Sequence, residues 1–599
     1  MTKKVIPIKY TNRQFEGIRD DLIEHVKRYY PNTFKDFNET SFGSLVLDTV
    51  AYVGDILSFY LDYQVNESFL DTAVEYDNVV RLAQQLGYRF KGNPAASGYA
   101  TFYIVVPTRA SGLGPDLDYV PILQYGTELA TTAGTGYLLV QNVNFAASSN
   151  EIVVAKANAN TGVPTHYAIK AKGRVVSGDL GVETRSVGAF QKFLKIPLAG
   201  VDITEVMSVR DSEGHEYFQV DYLSQDTIYQ EVVNRGKHGD TVTSILKPRV
   251  VPRRYTVEQI KGKTFLQFGH GSDTELISNT PAIADPSSVT LNFHGRRYVT
   301  DETFDPSNLM GTDKFGISPS NTTLTITYRA NPRGKVNTAV DTLTDAVSPI
   351  LRFKDANALS SKKRLDVVDS IEVTNDEPLV GNITLPNVEE IKRRALDVFA
   401  TQNRAVTKQD YISTVYNMPP QFGGIKRCGI IRDHNSFKRN LNLYVVSENS
   451  QGNLAETNGT IKTNLKHWLN QKKMINDTID ILDARIVNFG VNFTAIGDYG
   501  YNKFTVLENG VSAIARAFNI KKEVGEFFYI TDIYAALREV EGILDVVDVK
   551  ISSKVGGGYS TYTFDFDSRT SADGRSIAVP KNVIFELRYP NRDIKGTIR

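Results

Sequence analysis

From Thr40 to Gln64 the chain reads as a helix with almost no polar side, and this stretch constrains the fold more than any other. Phe42, Leu45, Val46, Val50, Val53, Ile56, Leu57 and Tyr60 recur at three- and four-residue steps and so share one face. Leu47, Ala51, Phe59, Leu61 and Tyr63 widen that face nearly all round. The exceptions, Asp48, Asp55 and Asp62, are spaced seven apart and keep to one narrow strip. A rod this apolar needs cover on several sides. Its neighbours offer some. Thr11 with Gln14 reads as a capping box for a first helix whose stripe is Phe15, Ile18, Leu22, Val26 and Tyr29, ending before Pro31. A third helix is expected from Thr72, with Glu75 as its box partner, to a C-terminal cap at Leu86 and Gly87. Composition by itself favours a self-contained three-helix domain with the aspartates as its solvated edge. The alternative is a bundle shared between subunits, because roughly ninety residues in three helices supply little apolar surface to close around such a rod.

Beyond residue 97 the period changes. Short β-rich or alternating runs appear at Tyr99 to Val106, Tyr137 to Val140, Ile152 to Ala155, Tyr167 to Ala171, Phe193 to Ile196, Tyr217 to Val220, Val289 to Phe293 and Leu324 to Tyr328. They predict two small β domains, 97–180 and 186–366, the second carrying an exposed inserted loop at 271–320. Next comes an α+β domain over 367–448. A strand ends in the turn Asn375 to Pro378, and Pro386 opens a helix with Val388, Ile391, Ala395, Val398 and Phe399 on one face. Thr407 with Asp410 caps a second helix through Tyr411, Ile412 and Val415. A hairpin follows, Ile425 to Arg432 and Leu441 to Ser447. Strand, helix, helix, strand over 455–555 predicts another α+β domain, and Gly556 to Gly558 detaches 556–599 as an extended arm. The fold class expected is therefore multidomain α+β: an N-terminal helical bundle segment (1–92), central all-β domains and C-terminal α+β domains.

Chemistry of other kinds is poorly supported. With 599 residues, about four domains are expected, and 41% hydrophobic content is ample for their cores. Basic and acidic residues balance at 68 each, so no global field gathers nucleic acid, and none is expected as a partner. The single cysteine, Cys428, excludes an intramolecular disulfide, suits a reducing cytoplasm and reads as a buried strand thiol between Ile425 and Ile430. No apolar run approaches the ~20 residues of a membrane helix, and Met1 to Lys4 precedes no signal-peptide core, so no membrane insertion is expected. His215 and Glu216 lack the second histidine of a zinc-protease helix, and Gly112-Leu113-Gly114-Pro115 lacks the third glycine of a dinucleotide loop. Asp116 with Asp118, and Asp565 with Asp567, could hold a divalent ion but read as solvated turn and strand faces. No catalytic, metal-binding or cofactor-binding residue is assigned, no cofactor is expected, and the chain reads as a non-enzyme. Two classes remain open. One is a structural assembly protein. The other is an envelope-binding or carbohydrate-degrading protein whose 30 tyrosines and 30 phenylalanines stack on sugars, although their even spread suits cores better.

A family resemblance favours the first. The run Val373-Thr374-Asn375-Asp376-Glu377-Pro378, an amphipathic helix, then Asn403, Arg404, Thr407, Asp410 and Tyr411, and Gly423-Gly424 before a strand, resembles the baseplate J-like proteins of contractile phage tails. Phe268-Gly269-His270-Gly271 and the strand ending Tyr328-Arg329 are similar to that family's Phe-Gly-x-Gly turn and Tyr-Arg strand. One departure is that Ala330-Asn331-Pro332-Arg333-Gly334 stands where the family has a glycine-rich turn. The likeness is clearest from Phe265 to Lys550, and the helical N-terminus and the ending Phe585 to Thr597 look like the wedge subunit of T-even-like myophages. The resemblance implies a virion baseplate component, assembled in the host cytoplasm, that joins another wedge protein through its N-terminal helices. It also implies pairing with a second copy through the C-terminal domains, a ring around the tail hub that rearranges on sheath contraction, and contact with a sheath-initiator or hub-proximal protein. It tips the second helix toward a shared bundle, with Phe42, Leu45, Leu47, Val50, Val53, Leu57, Phe59 and Leu61 as interface and Asp48, Asp55 and Asp62 beside them. Hinges are expected at Gly92-Asn93-Pro94 and over Asn449 to Asn458.

Overall fold

The computed structural model describes residues 14–33, 38, 41–88, 92–109, 113–233, 244–260, 262–272, 315–331, 336–433, 440–518 and 522–599. The architecture is multidomain α+β, with helices first, sheets in the centre and mixed elements at the end. The chain packs into two units: residues 1–89 with 386–399, and residues 90–385 with 400–599.

The first unit holds helices α1 (Phe15–Tyr29), α2 (Phe42–Asn66) and α3 (Tyr76–Gln85), and the body of α4 (Val388–Thr401). Ser41 caps α2, its hydroxyl accepting the Ser44 amide at 3.1 Å. Thr11, the expected cap of α1, lies outside the described residues. The third helix starts four residues later than its sequence suggests, for a reason visible in the turn before it. The Glu67 carboxylate accepts the Val74 and Glu75 amides at 2.7 and 3.2 Å and the Asn78 side chain at 3.0 Å, while the Thr72 hydroxyl donates to the Asn66 carbonyl. These bonds hold 67–75 as a turn. The helix closes as expected at Gly87, whose φ of +90° suits a residue without Cβ. Sequence order placed α4 with the hairpin domain, but its body packs with the N-terminal helices: Ile391 and Ala395 are fully buried, and the Lys392 ammonium donates to the Asp71 carbonyl at 3.0 Å. An amphipathic helix goes where an uncovered apolar surface exists, whatever its distance along the chain.

The second unit opens with a seven-stranded sheet in which Ser97–Pro107 and Pro164–Ser177 run antiparallel from Ser97↔Val176 to Pro107↔His166. Another seven-stranded sheet follows, its first strand, Asp179–Val187, starting just past Gly178. Leu343–Ser348 and Glu372–Thr374 then return to the first sheet, so the second β domain is an insertion within the first instead of its successor over 186–366. The Tyr-Arg strand, Thr322–Ala330, joins the two. Arg329 is buried, donating to the Ser177 carbonyl and to Glu205 at 2.8 Å, and Asn331 bridges Ser177 and Thr204. At the Phe-Gly-x-Gly turn a Cβ on Gly269 would stand 2.0 Å from the Gly316 carbonyl oxygen, so only glycine fits. Most of the expected 271–320 loop, and the Pro332 to Gly334 corner, lie outside the described residues.

The hairpin strands Arg427–Arg432 and Asn440–Glu448 pair as expected, and Thr478–Asp483 adds to the second of them in parallel. That addition divides at Ala484 what the sequence reads as one β run from Thr478 to Ile496, since Arg485–Gly497 belongs to the next sheet. Helix Gly459–Asn470 also packs here, burying Ile461, Leu465 and Leu469, with the Trp468 indole donating to the Thr414 carbonyl at 2.9 Å. In the C-terminal sheet Arg485–Gly497 pairs with Ile543–Lys554 on one side and with Val583–Glu586 and Ile594–Ile598 on the other. The segment 556–599 is therefore no detached arm: Phe566, Ile577, Phe585 and Ile594 are buried in the same core as Phe489 and Phe528. Nor is Asn449 to Asn458 a loose hinge. The Asn458 amide bonds to the Ser97 carbonyl at 2.5 Å, and the Leu454 amide donates to Glu586 at 2.7 Å.

Candidate functional site: an uncovered helix

Helix α2 is 25 residues long, and of these Ser44 and Ala51 are buried. Its large side chains stand out instead. Phe42 is 80% exposed, Phe59 65% and Leu61 67%; Leu45, Val50, Val53 and Leu57 are exposed as well, and Leu47 is half-buried. Tyr52 adds to this exposed apolar set, and exposed Val65, Phe69 and Val74 follow past Gln64. Val65 escaped the sequence reading because the helix was ended two residues early, at Gln64 instead of Asn66.

The side of α2 turned inward is the polar one. Arg19 of α1 meets Asp48 at 2.5 Å. A Cβ on Gly54 would lie 3.3 Å from Ile18 Cδ1, so the missing side chain lets α1 come close. Asp48, Asp55 and Asp62 are all half-buried, instead of forming a solvated edge. The cause is electrostatic and geometric: an arginine on α1 offers the strip a counter-charge, while small Ser44, Ala51 and Gly54 supply the close approach. Among the described residues, the apolar faces of α2 are left without cover. Exposed apolar surface on this scale marks an interaction site.

By length and composition α2 could also cross a membrane, which corrects the expectation that no run approaches that size. The three aspartates argue for a protein as cover. Each would cost about 2.5–3.5 kcal/mol near the centre of a bilayer.

The family-motif residues serve packing. Thr407 and Asp410 form the capping box, and Tyr411 is buried with its hydroxyl donating to Asp477 at 2.7 Å. Asn403, with φ of +62°, accepts from Lys472, while Arg404 is exposed. Cβ atoms on Gly423 and Gly424 would come within 3.2 Å of Ile461 and 2.9 Å of Ile383. Cys428 is buried. Of the acidic pairs, Asp116 accepts the Asp118 amide and Asp565 the Ser568 amide, so both hold turns. Among the described residues Asp211, Glu213 and His215 do bring three possible ligand atoms within 4.8 Å of one another. Asp211, however, is engaged by the Glu213 and His215 amides of its own hairpin turn.

With this geometry in view, a family comparison falls on the same helices. Residues 14–85 match the family model described as the N-terminal domain of bacteriophage baseplate proteins. This supports a structural component of a baseplate. No curated protein matches the sequence. Among solved structures, a chain of the anti-feeding prophage baseplate is 9% identical, covering 97% of this chain and 100% of that one at a TM-score of 0.24. A chain of the TssK-TssF-TssG baseplate subcomplex of a type VI secretion system is 8% identical, covering 73% of this chain and 95% of that one at a TM-score of 0.20.

Proposed function

We propose that this chain is a wedge subunit of a contractile-tail baseplate, and that α2 is the seam through which it joins another wedge protein in a helical bundle. The observation that carries the reading is the exposure of an apolar 25-residue helix inside the segment that matches the baseplate model. In the same reading the C-terminal domain pairs with a second copy, the paired chains form a ring around the hub, and the ring rearranges when the sheath contracts. No reaction is assigned to it. The β domains and the tightly bonded junction between them would then act as rigid bodies.

The deciding experiment is co-expression with neighbouring tail proteins, followed by size and mass measurement. A stable complex with two copies of this chain and another subunit is expected. Phe59→Asp or Leu57→Asp should leave the isolated chain folded, because both side chains are exposed. Either should weaken the complex by about 2–4 kcal/mol, roughly 30- to 1,000-fold in Kd. A chain that stays monomeric beside every tail protein would overturn the reading, as would tight binding to lipid vesicles that competes with them. Micromolar glycan binding or release of reducing ends would favour the envelope-directed alternative instead.

A further inference from the structure

The C-terminal sheet ends on a long strand that nothing in the described residues continues. Ile543–Lys554 pairs with Arg485–Gly497 along one side, and no strand lies on its other side. Twelve residues of backbone on an open edge form a template for another strand. The side chains flanking that edge are unusually sorted by sign. Asp545 and Asp548 occupy its first half and Lys550 and Lys554 its second; within the chain Asp545 pairs with Arg538 at 3.1 Å, while Asp548 and Lys550, about half and three-quarters exposed, pair with one another at 3.6 Å. Exposed Leu544 lies at the start, and exposed Val555 lies just past the end.

We propose that this edge pairs antiparallel with the same strand of a second copy, with the two-fold axis at Val549. In that register Asp548 lies opposite Lys550 of the second copy and Lys550 opposite its Asp548, while Val547 faces Ile551. The sign order along the strand is what makes it its own complement: reversing the chain direction exchanges acidic for basic. An isologous contact of this kind adds a cross-strand pair at each of two crossings to the exposed Asp548–Lys550 pair within each chain, and continues one sheet across two chains. Any register that sets Asp opposite Asp is penalised, so the charges that would keep the edge single in other alignments select this one. The irregularity at Val547, where the ladder with Arg485–Gly497 shifts, limits the regular crossing to Asp548–Lys550 and its flanks. The inference rests on the reading of the C-terminal domain as self-pairing and names the strand that does it.

A charge exchange tests it in the full-length chain by analytical ultracentrifugation. Asp548→Lys alone, or Lys550→Asp alone, sets like charges at both crossings and should weaken self-association at least about tenfold. The double variant Asp548→Lys with Lys550→Asp should recover it. Mixing the two single variants should give hetero-pairs in preference to either homo-pair. A dimer indifferent to all of these would overturn the strand assignment and leave C-terminal self-pairing standing. A wild-type chain that stays monomeric, even at high concentration, would remove both.

Discussion

Single residues explain which signals could be read in advance. The Thr407 and Asp410 box is a three-residue pattern whose partners are its own amides, so sequence spacing was enough to find it. Tyr411 was legible as a helix residue but not as the donor to Asp477, which is 66 positions away. Tyr411→Phe leaves a carboxylate that is 7% exposed short of a partner and should cost about 1–3 kcal/mol, measured by denaturant unfolding. Glu67 was missed altogether, since its neighbours spell a helix start and its role depends on a turn that forms around it. The Val74 amide first, and then the Asn78 side chain, hold its carboxyl below the ordinary value of 4.5. A lowered folded value means the stabilisation is present above that ordinary value and is lost as the pH falls through the lower one. Glu67→Gln should therefore unfold earlier than the wild type at pH 7, followed by circular dichroism, with the difference closing below about pH 4.5.

Among the elements, periodicity identified α2 as a helix and as apolar, but misassigned its polar strip. Patterning assumes that the apolar side goes inward, and this holds only when one chain contains enough apolar surface to receive it. Here Arg19 and a run of small residues draw the aspartates in. The Arg19 and Asp48 pair is itself minor: both side chains are partly exposed, 27% and 36%, so Arg19→Ala should cost about 0.2–1 kcal/mol, and a double-mutant cycle with Asp48→Ala would measure the coupling. The pair orients the helix more than it stabilises it. The break at Ala484 was invisible for a related reason: Ile481 and Ile486 look alike in sequence, and only strand pairing sends them to different sheets.

Across the whole molecule, fold class was legible and domain membership was not. Strands 343–348 and 372–374 close a sheet begun at residue 97, and α4 leaves the hairpin region to pack with the N-terminal helices. Both depend on long-range pairing that local patterns do not encode. A practical prediction follows. Deleting residues 1–91 removes the cover of Ile391 and Ala395, which are fully buried, and should produce an aggregation-prone chain by light scattering. Point substitutions on α2 should not.

The excursion of α4 also sets a clock on synthesis. The first unit needs residues from both ends of a long interval, so it stays incomplete from the time α3 leaves the ribosome until residue 399 is made. At about 5–20 residues per second, that interval is on the order of 15–60 s. Throughout it the nascent chain exposes the surface that Ile391 and Ala395 will later pack against, in addition to the outer faces of α2, so a partner helix or a chaperone that arrives during translation meets more uncovered surface than one that arrives later.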